Sequence, residues 1–190
     1  AMALDGEPKT EMWYFAEADP GAQIYVGLRS GVTRAEFVRR LDDGSVAECF
    51  HRHPIRAGDA MFLPSGRAHA LGAGNLVFEI QQNSDTTYRV FDWNRFGLDG
   101  KPRELHVAES FASIDFDDFE PSMDQPHGDT LAACEYFKTD RKTLKAGESL
   151  SNPNAEKFSI ISVVDGELKS ADGRHFAKGQ FILLPKASSP

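Results

Sequence analysis

The chain has 190 residues and a mass of 21.0 kDa, enough for one large domain or two small ones. Hydrophobic residues make up 41 %, and 14 Phe, 4 Tyr and 2 Trp weight the core toward aromatic strands. The net charge of -8 argues against a nucleic-acid surface but leaves room for a small anion held by a few local cations. Cys49 and Cys134 stand alone, so neither a disulfide framework nor a zinc ribbon is expected. Two free thiols, an N-terminus without basic and apolar regions, and no apolar run of the ~20 residues that span a bilayer lead to the expectation of a cytoplasmic protein.

Residues 1–10 are polar and read as a loop. Glu11 to Phe15 alternates as a strand, with Glu11, Trp13 and Phe15 on one face and Met12 and Tyr14 on the other. Asp19-Pro20-Gly21 is a turn and Gln23 to Leu28 a second strand, so 11–28 is expected to form a hairpin. Thr33 to Leu41 is the clearest helix: Thr33 and Glu36 have capping-box spacing, and Phe37, Val38 and Leu41 make a narrow apolar stripe. Residues 45–57 read as partly helical, with His51 and His53 as surface loop residues.

From Gly58 to Arg95 come short apolar runs cut by Gly, Pro, Asn and Asp, the pattern of an antiparallel sandwich or barrel. Ala60 to Leu63 is one run and His69 sits on the next. Leu76, Phe78 and Ile80 alternate, and Tyr88, Val90 and Phe91 read as a strand beyond a polar break. Four polar groups lie along these strands: His69, Glu79, Asp85 and Arg89. Residues 107–114 suggest a short helix. Leu131 to Lys138 and Phe158 to Val164 read as strands, and Asp165-Gly166 and Asp172-Gly173 as hairpin turns.

Gly58-Asp59-Ala60-Met61-Phe62-Leu63-Pro64 aligns with Gly179-Gln180-Phe181-Ile182-Leu183-Leu184-Pro185. This internal repeat implies two related β-units. The acidic, proline-bearing stretch 115–130 reads as the linker between a first barrel, 1–114, and a second, shorter unit, 131–190.

The residues alone leave the chemistry open. His69 has the type of a metal ligand, but a single strand histidine is more often structural. Glu11 alone reads as an exposed strand end, and two ligands are fewer than a zinc site takes. Lys9 shares a side with Glu11 if that segment is extended. Arg89 and Arg95 suit a phosphate, or equally a salt bridge with Asp85 or Asp92.

Taken together, PKTEMWY, PSGRAHA and EIQQNSDTTYRVFDW resemble type I phosphomannose isomerase, a cupin enzyme, in its short bacterial form. The resemblance covers most of residues 8–114 and, more weakly, 131–186. It implies an all-β cupin fold (a double-stranded, jelly-roll-like β-helix) with a few short helices and two cupin-like units. It implies a zinc-dependent isomerase that interconverts mannose 6-phosphate and fructose 6-phosphate. The metal ligands would include Glu11 and His69, and Lys9, Arg89 and Asp85 would lie in the active site. The base remains open among Asp85, Lys9 and a hydroxide on the metal.

The family also takes a Gln and a His from a Gln-x-His motif well upstream of Lys-x-Glu, whereas only residues 1–8 precede Lys9. The expectation is an N-terminally truncated form with half of the zinc shell and two incomplete units. Their open strand edges would favour a homodimer. The alternative is a degenerate cupin that binds a sugar phosphate without turnover. A metal-dependent cupin oxygenase would need the His51-x-His53 pair on the first strands, which the spacing opposes.

Overall fold

The structure, a computed structural model, describes residues 6–93, 95–152 and 156–186. Strand β1 (Glu11–Ala18) sets the architecture, because its alternating apolar residues are wanted on both faces. It is the middle strand of an antiparallel sheet, between β4 (Ala60–Leu63) and β6 (Asn75–Gln81). A second antiparallel sheet places β2 (Gln23–Leu28) between β3 (Phe50–Pro54) and β5 (His69–Leu71).

Trp13 and Phe15 of β1 and Met61 and Leu63 of β4 meet Ile24 and Val26 of β2, with Ile55, in one buried cluster. The opposite face of β1 is covered as well. Met12 and Ala60 pack on Leu131 and Ala132 of β7 (Thr130–Ala133), with Tyr14, Phe62, Ile80 and Phe137 around them. Each fully buried Phe, Leu, Ile or Met adds about 1.5–3 kcal/mol of hydrophobic stabilisation. The faces assigned to Glu11–Phe15 from alternation are the ones the packing uses.

Helix α1 (Arg34–Asp42) starts where the capping residue predicts, with the Thr33 hydroxyl accepting from Glu36 N at 3.2 Å. The Glu36 carboxylate turns instead to Arg39 and Arg40. The helix is anchored by Phe37, whose ring meets Phe50, Phe111 and Phe116 edge-on at 5.5–5.7 Å. Phe111 lies on α2 (Val107–Ser113).

Several sequence expectations are corrected. β1 and β2 do not form a hairpin: the turn reverses the chain, with Ala22 N donating to Asp19 O, but delivers β2 to the other sheet. A short 3-10 turn, Val46–Cys49, leads directly into β3, so His51 and His53 stand on a strand. Residues 83–93 form no ladder strand. Leu131–Lys138 splits into β7 and the first residue of its partner β8 (Lys138–Asp140), which pair as a hairpin.

The stretch 115–130 is not a free linker. Leu28 N donates to Asp118 O, Glu120 N donates to Leu28 O, and Phe119 bridges to Leu28. Arg67 forks onto Asp118 at 2.9 and 3.0 Å, and Phe116 joins the aromatic cluster. Gly27 is required where this segment crosses β2: its φ is +63, and a Cβ would lie 2.4 Å from Pro121 Cδ. The chain accordingly divides into residues 1–141 and 142–190, later than the predicted boundary.

In the second unit, β9 (Ser159–Ser162) pairs with β12 (Phe181–Leu184), enclosing the hairpin of β10 (Glu167–Lys169) and β11 (His175–Ala177). Asp172-Gly173 turns that hairpin, whereas Asp165-Gly166 joins β9 to β10, which do not pair. β12 and β4 are the repeated strands, each entered through a glycine at positive φ, Gly179 and Gly58. Ile160 and Leu183 lie opposite each other and are 61 % and 63 % exposed.

Candidate functional site

The first unit contains a cavity of about 530 Å³, walled by β1, β5, β6, the 86–93 segment and α2. Glu11 opens β1, paired through the backbone with Leu63 on one side and Gln81 on the other. Double pairing fixes its carboxylate, which is 3 % exposed. His69 reaches the same point from the facing sheet, where its backbone pairs with Val26. Its Nε2 is 3.3 Å from Glu11 Oε1, and its Nδ1 lies 2.8 Å from Arg67 O. A carbonyl can only accept, so Nδ1 carries a proton and Nε2 is the nitrogen turned toward Glu11. The Trp13 ring stands edge-on to the imidazole at 5.1 Å and holds it in place.

Lys9 Nζ lies 3.4 Å from both Glu11 carboxylate oxygens and 3.9 Å from Glu79 Oε1. Glu79 stands opposite Trp13 in the β1–β6 register and accepts from its indole N–H at 2.8 Å. Burial pushes the Glu11 carboxyl upward, but the hydrogen bond and charge of His69, followed by Lys9, outweigh it and leave the pKa below the usual value.

Arg89 lines the same cavity. Its Nη1 donates to Glu104 O at 3.1 Å, and among the described residues it has no carboxylate partner. Its backbone is clamped to the start of α2: Arg89 N donates to His106 Nδ1, and His106 N donates to Arg89 O. Arg95 and Arg103 share Asp92, with Arg95 Nη2 at 2.8 Å and Arg103 Nε at 2.6 Å. Two guanidiniums on one carboxylate leave a net positive charge on this wall. Trp93 is held there at a φ of +49, a strained backbone for a bulky residue, between Phe91 and Tyr25.

The structure thus brings Lys9, Glu11, His69 and Arg89 to one cavity. Asp85 is exposed and is not among the residues that line it. Trp13, Asp92, His106 and Ser110 were not marked as site residues by the sequence. Only the β1–β6 register could have brought Trp13 forward and only the 106–89 pair His106, whereas the spacing of Asp92 and Arg95 already marked Asp92 as a salt-bridge partner.

All-β and cupin-like, the first unit gathers a doubly paired acid, a facing histidine and a cationic wall around one cavity. Comparison with known proteins narrows this. The chain is 35 % identical over 191 residues to the mannose-6-phosphate isomerase ManA of Bacillus subtilis, covering 93 % of this chain and 58 % of the relative. It is 40 % identical over 196 residues to the mannose-6-phosphate isomerase of Streptococcus mutans, covering 97 % and 61 %. The crystal structure of the mannose 6-phosphate isomerase from Bacillus subtilis superposes with a TM-score of 0.73 at 27 % identity, over 99 % of this chain and 62 % of that one. No protein-family model matches. The chain is homologous to the mannose-6-phosphate isomerases and spans about three fifths of the length of these relatives.

Zinc fits the donor set in kind. A carboxylate and an imidazole Nε2 converge at 3.3 Å, and the second imidazole nitrogen is fixed by a carbonyl, as ligand histidines commonly are. In number the set is two: among the described residues no group of three His, Cys, Asp or Glu side chains could hold a metal. Among those residues no helix is long and apolar enough to cross a membrane.

Proposed function

We propose that the chain is a zinc-dependent aldose–ketose isomerase acting on mannose 6-phosphate and fructose 6-phosphate. The observation that carries it is the convergence of Lys9, Glu11, His69 and Arg89 on one cavity, in a chain homologous to isomerases of that name. The reaction moves a proton between C1 and C2 through an enediolate. It therefore needs a proton carrier and a means of holding negative charge on oxygen.

Glu11 and His69 would hold a zinc ion, which when bound would supply Lewis-acid polarisation of the substrate oxygens. Glu11 would bind it as the ionised carboxylate that its lowered pKa favours. With Nδ1–H held by Arg67 O, it is the neutral form of His69 that would turn an Nε2 lone pair to the ion. Lys9 lies within 3.4 Å of that carboxylate and is the cavity residue best placed to hold a developing oxyanion or move a proton at C1 or C2. Exposed Asp85 has no part in this assignment. Arg89, with no carboxylate partner among the described residues, offers its guanidinium to the phosphate.

The test is conversion of mannose 6-phosphate by the chain with excess zinc, beside Glu11→Ala and His69→Ala. Each substitution is expected to lower kcat/KM by roughly a hundredfold or more and to abolish the rise in unfolding temperature that zinc produces. Turnover unchanged in both variants would sink the assignment. A second reading, a sugar-phosphate-binding cupin without turnover, is favoured by the two-residue donor set. Binding of mannose 6-phosphate with no conversion at any zinc concentration would select it.

A further inference from the structure

We propose that Ser110 is a ligand-binding hydroxyl that completes the phosphate-holding wall of the cavity, an inference that rests on the sugar-phosphate reading above. Ser110 is 2 % exposed and lines the cavity. Among the described residues its Oγ finds no hydrogen-bond partner, and neither does the buried Oγ of Ser113, three residues on along α2 and on the same wall. A helical serine ordinarily turns its hydroxyl to solvent or to the carbonyl one turn back. Neither disposition is adopted here. Native proteins rarely keep buried hydroxyls without partners, and alanine would suit the helix better. Two such hydroxyls on one cavity wall are explained by an oxygen-rich occupant of that cavity.

The backbone ties Ser110 to Arg89. Ser110 N donates to His106 O at 2.8 Å, and His106 is paired twice with the Arg89 backbone, its N donating to Arg89 O and its ring Nδ1 accepting from Arg89 N. Ser110 therefore sits one helical turn, and Ser113 two, beyond the residue that positions the guanidinium. Arg95 and Arg103, sharing one carboxylate, line the same cavity. The carboxylates of Glu11 and Glu79 are gathered around Lys9 and away from this pairing. A wall of guanidiniums and hydroxyl donors suits a phosphate, whose oxygens accept from both. A neutral sugar hydroxyl would leave the excess positive charge unmatched.

The test is titration calorimetry of the full chain with mannose 6-phosphate and, separately, inorganic phosphate, for the wild type, Ser110→Ala and Ser110→Ala/Ser113→Ala. Ser110→Ala should unfold at the wild-type temperature or above, since it removes an unpartnered hydroxyl. It should bind both probes about tenfold more weakly, and the double variant more weakly still. Unchanged affinity for both would overturn the proposal, leaving the hydroxyl to solvent. Loss confined to mannose 6-phosphate would overturn the assignment to the phosphate end in favour of a sugar hydroxyl. A lowered unfolding temperature would make the hydroxyl structural. A wild-type chain that binds neither probe would overturn the sugar-phosphate reading itself, and this proposal with it.

Discussion

Asp92 accepts from Arg103 and Arg95 at once, and its pKa falls from 3.8 to about 2. A carboxyl whose folded pKa is depressed stabilises the fold above its unfolded pKa and loses that contribution as pH falls through the folded one. The charge of Asp92 should therefore stabilise the first unit fully above about pH 4, and the benefit should fade toward pH 2. Urea midpoints of the wild type and Asp92→Asn would show this as a gap at neutral pH that closes between those values. A gap constant with pH would assign the effect to packing. The partners Arg95 and Arg103 are 59 % and 39 % exposed at the side chain, so the gap should be small and shrink in salt. At this scale the sequence was informative where spacing alone suffices. Lys9 and Glu11 are two apart on an extended segment and do share a side. It was silent on Glu79's partner, because Trp13 is 66 residues away and only the register joins them. It misplaced Asp85, whose neighbours in sequence line the cavity while its own side chain faces solvent.

Among the elements, α1 was legible because its signals are local: the Thr33 cap and one apolar stripe. Its stability is not local. Phe37 is fully buried among three aromatic rings drawn from β3, α2 and residue 116. Phe37→Ala should cost about 3–5 kcal/mol in equilibrium unfolding, far beyond what a surface helix would lose. A cost under about 1 kcal/mol would mean that the cluster does not anchor the helix. The misread elements share a cause. The turn at Asp19-Pro20-Gly21 announces a reversal but not which sheet receives the next strand. The acidic run 115–130 looks like a linker until Arg67, Leu28 and Phe62 N, all distant in sequence, are seen to receive it. Tyr88, Val90 and Phe91 have strand composition but form no ladder; the Arg89 backbone among them pairs instead with the ring Nδ1 and backbone N of His106.

Every residue that walls the cavity belongs to the first unit, residues 1–141. A chain ending at Arg141 is therefore expected to fold and to bind mannose 6-phosphate within about threefold of the full chain, as measured by titration calorimetry. Loss of binding without loss of folding would give residues 142–190 a part in the site. The repeat that the sequence displays is real at the level of strand and entry glycine, β4 beside β12. The two copies differ in what covers them: in the first, Ala60 and Phe62 lie under β7 and Phe137, while in the second Phe181 and Leu183 are more than 60 % exposed.

The central position of β1 bears on how the protein is made. The strand that carries Glu11 leaves the ribosome before any of its partners. It must wait for β4, then β6, and then β7 to seal its outer face. A nascent chain halted before residue 60 holds β1 without its ladder partners β4 and β6 and without the β7 cover on its Met12–Tyr14 face, a strand edge prone to pair with other chains. Synthesis thus carries the chemically decisive strand as an exposed segment until most of the first unit has been translated, which makes that interval the one in which a chaperone would matter most.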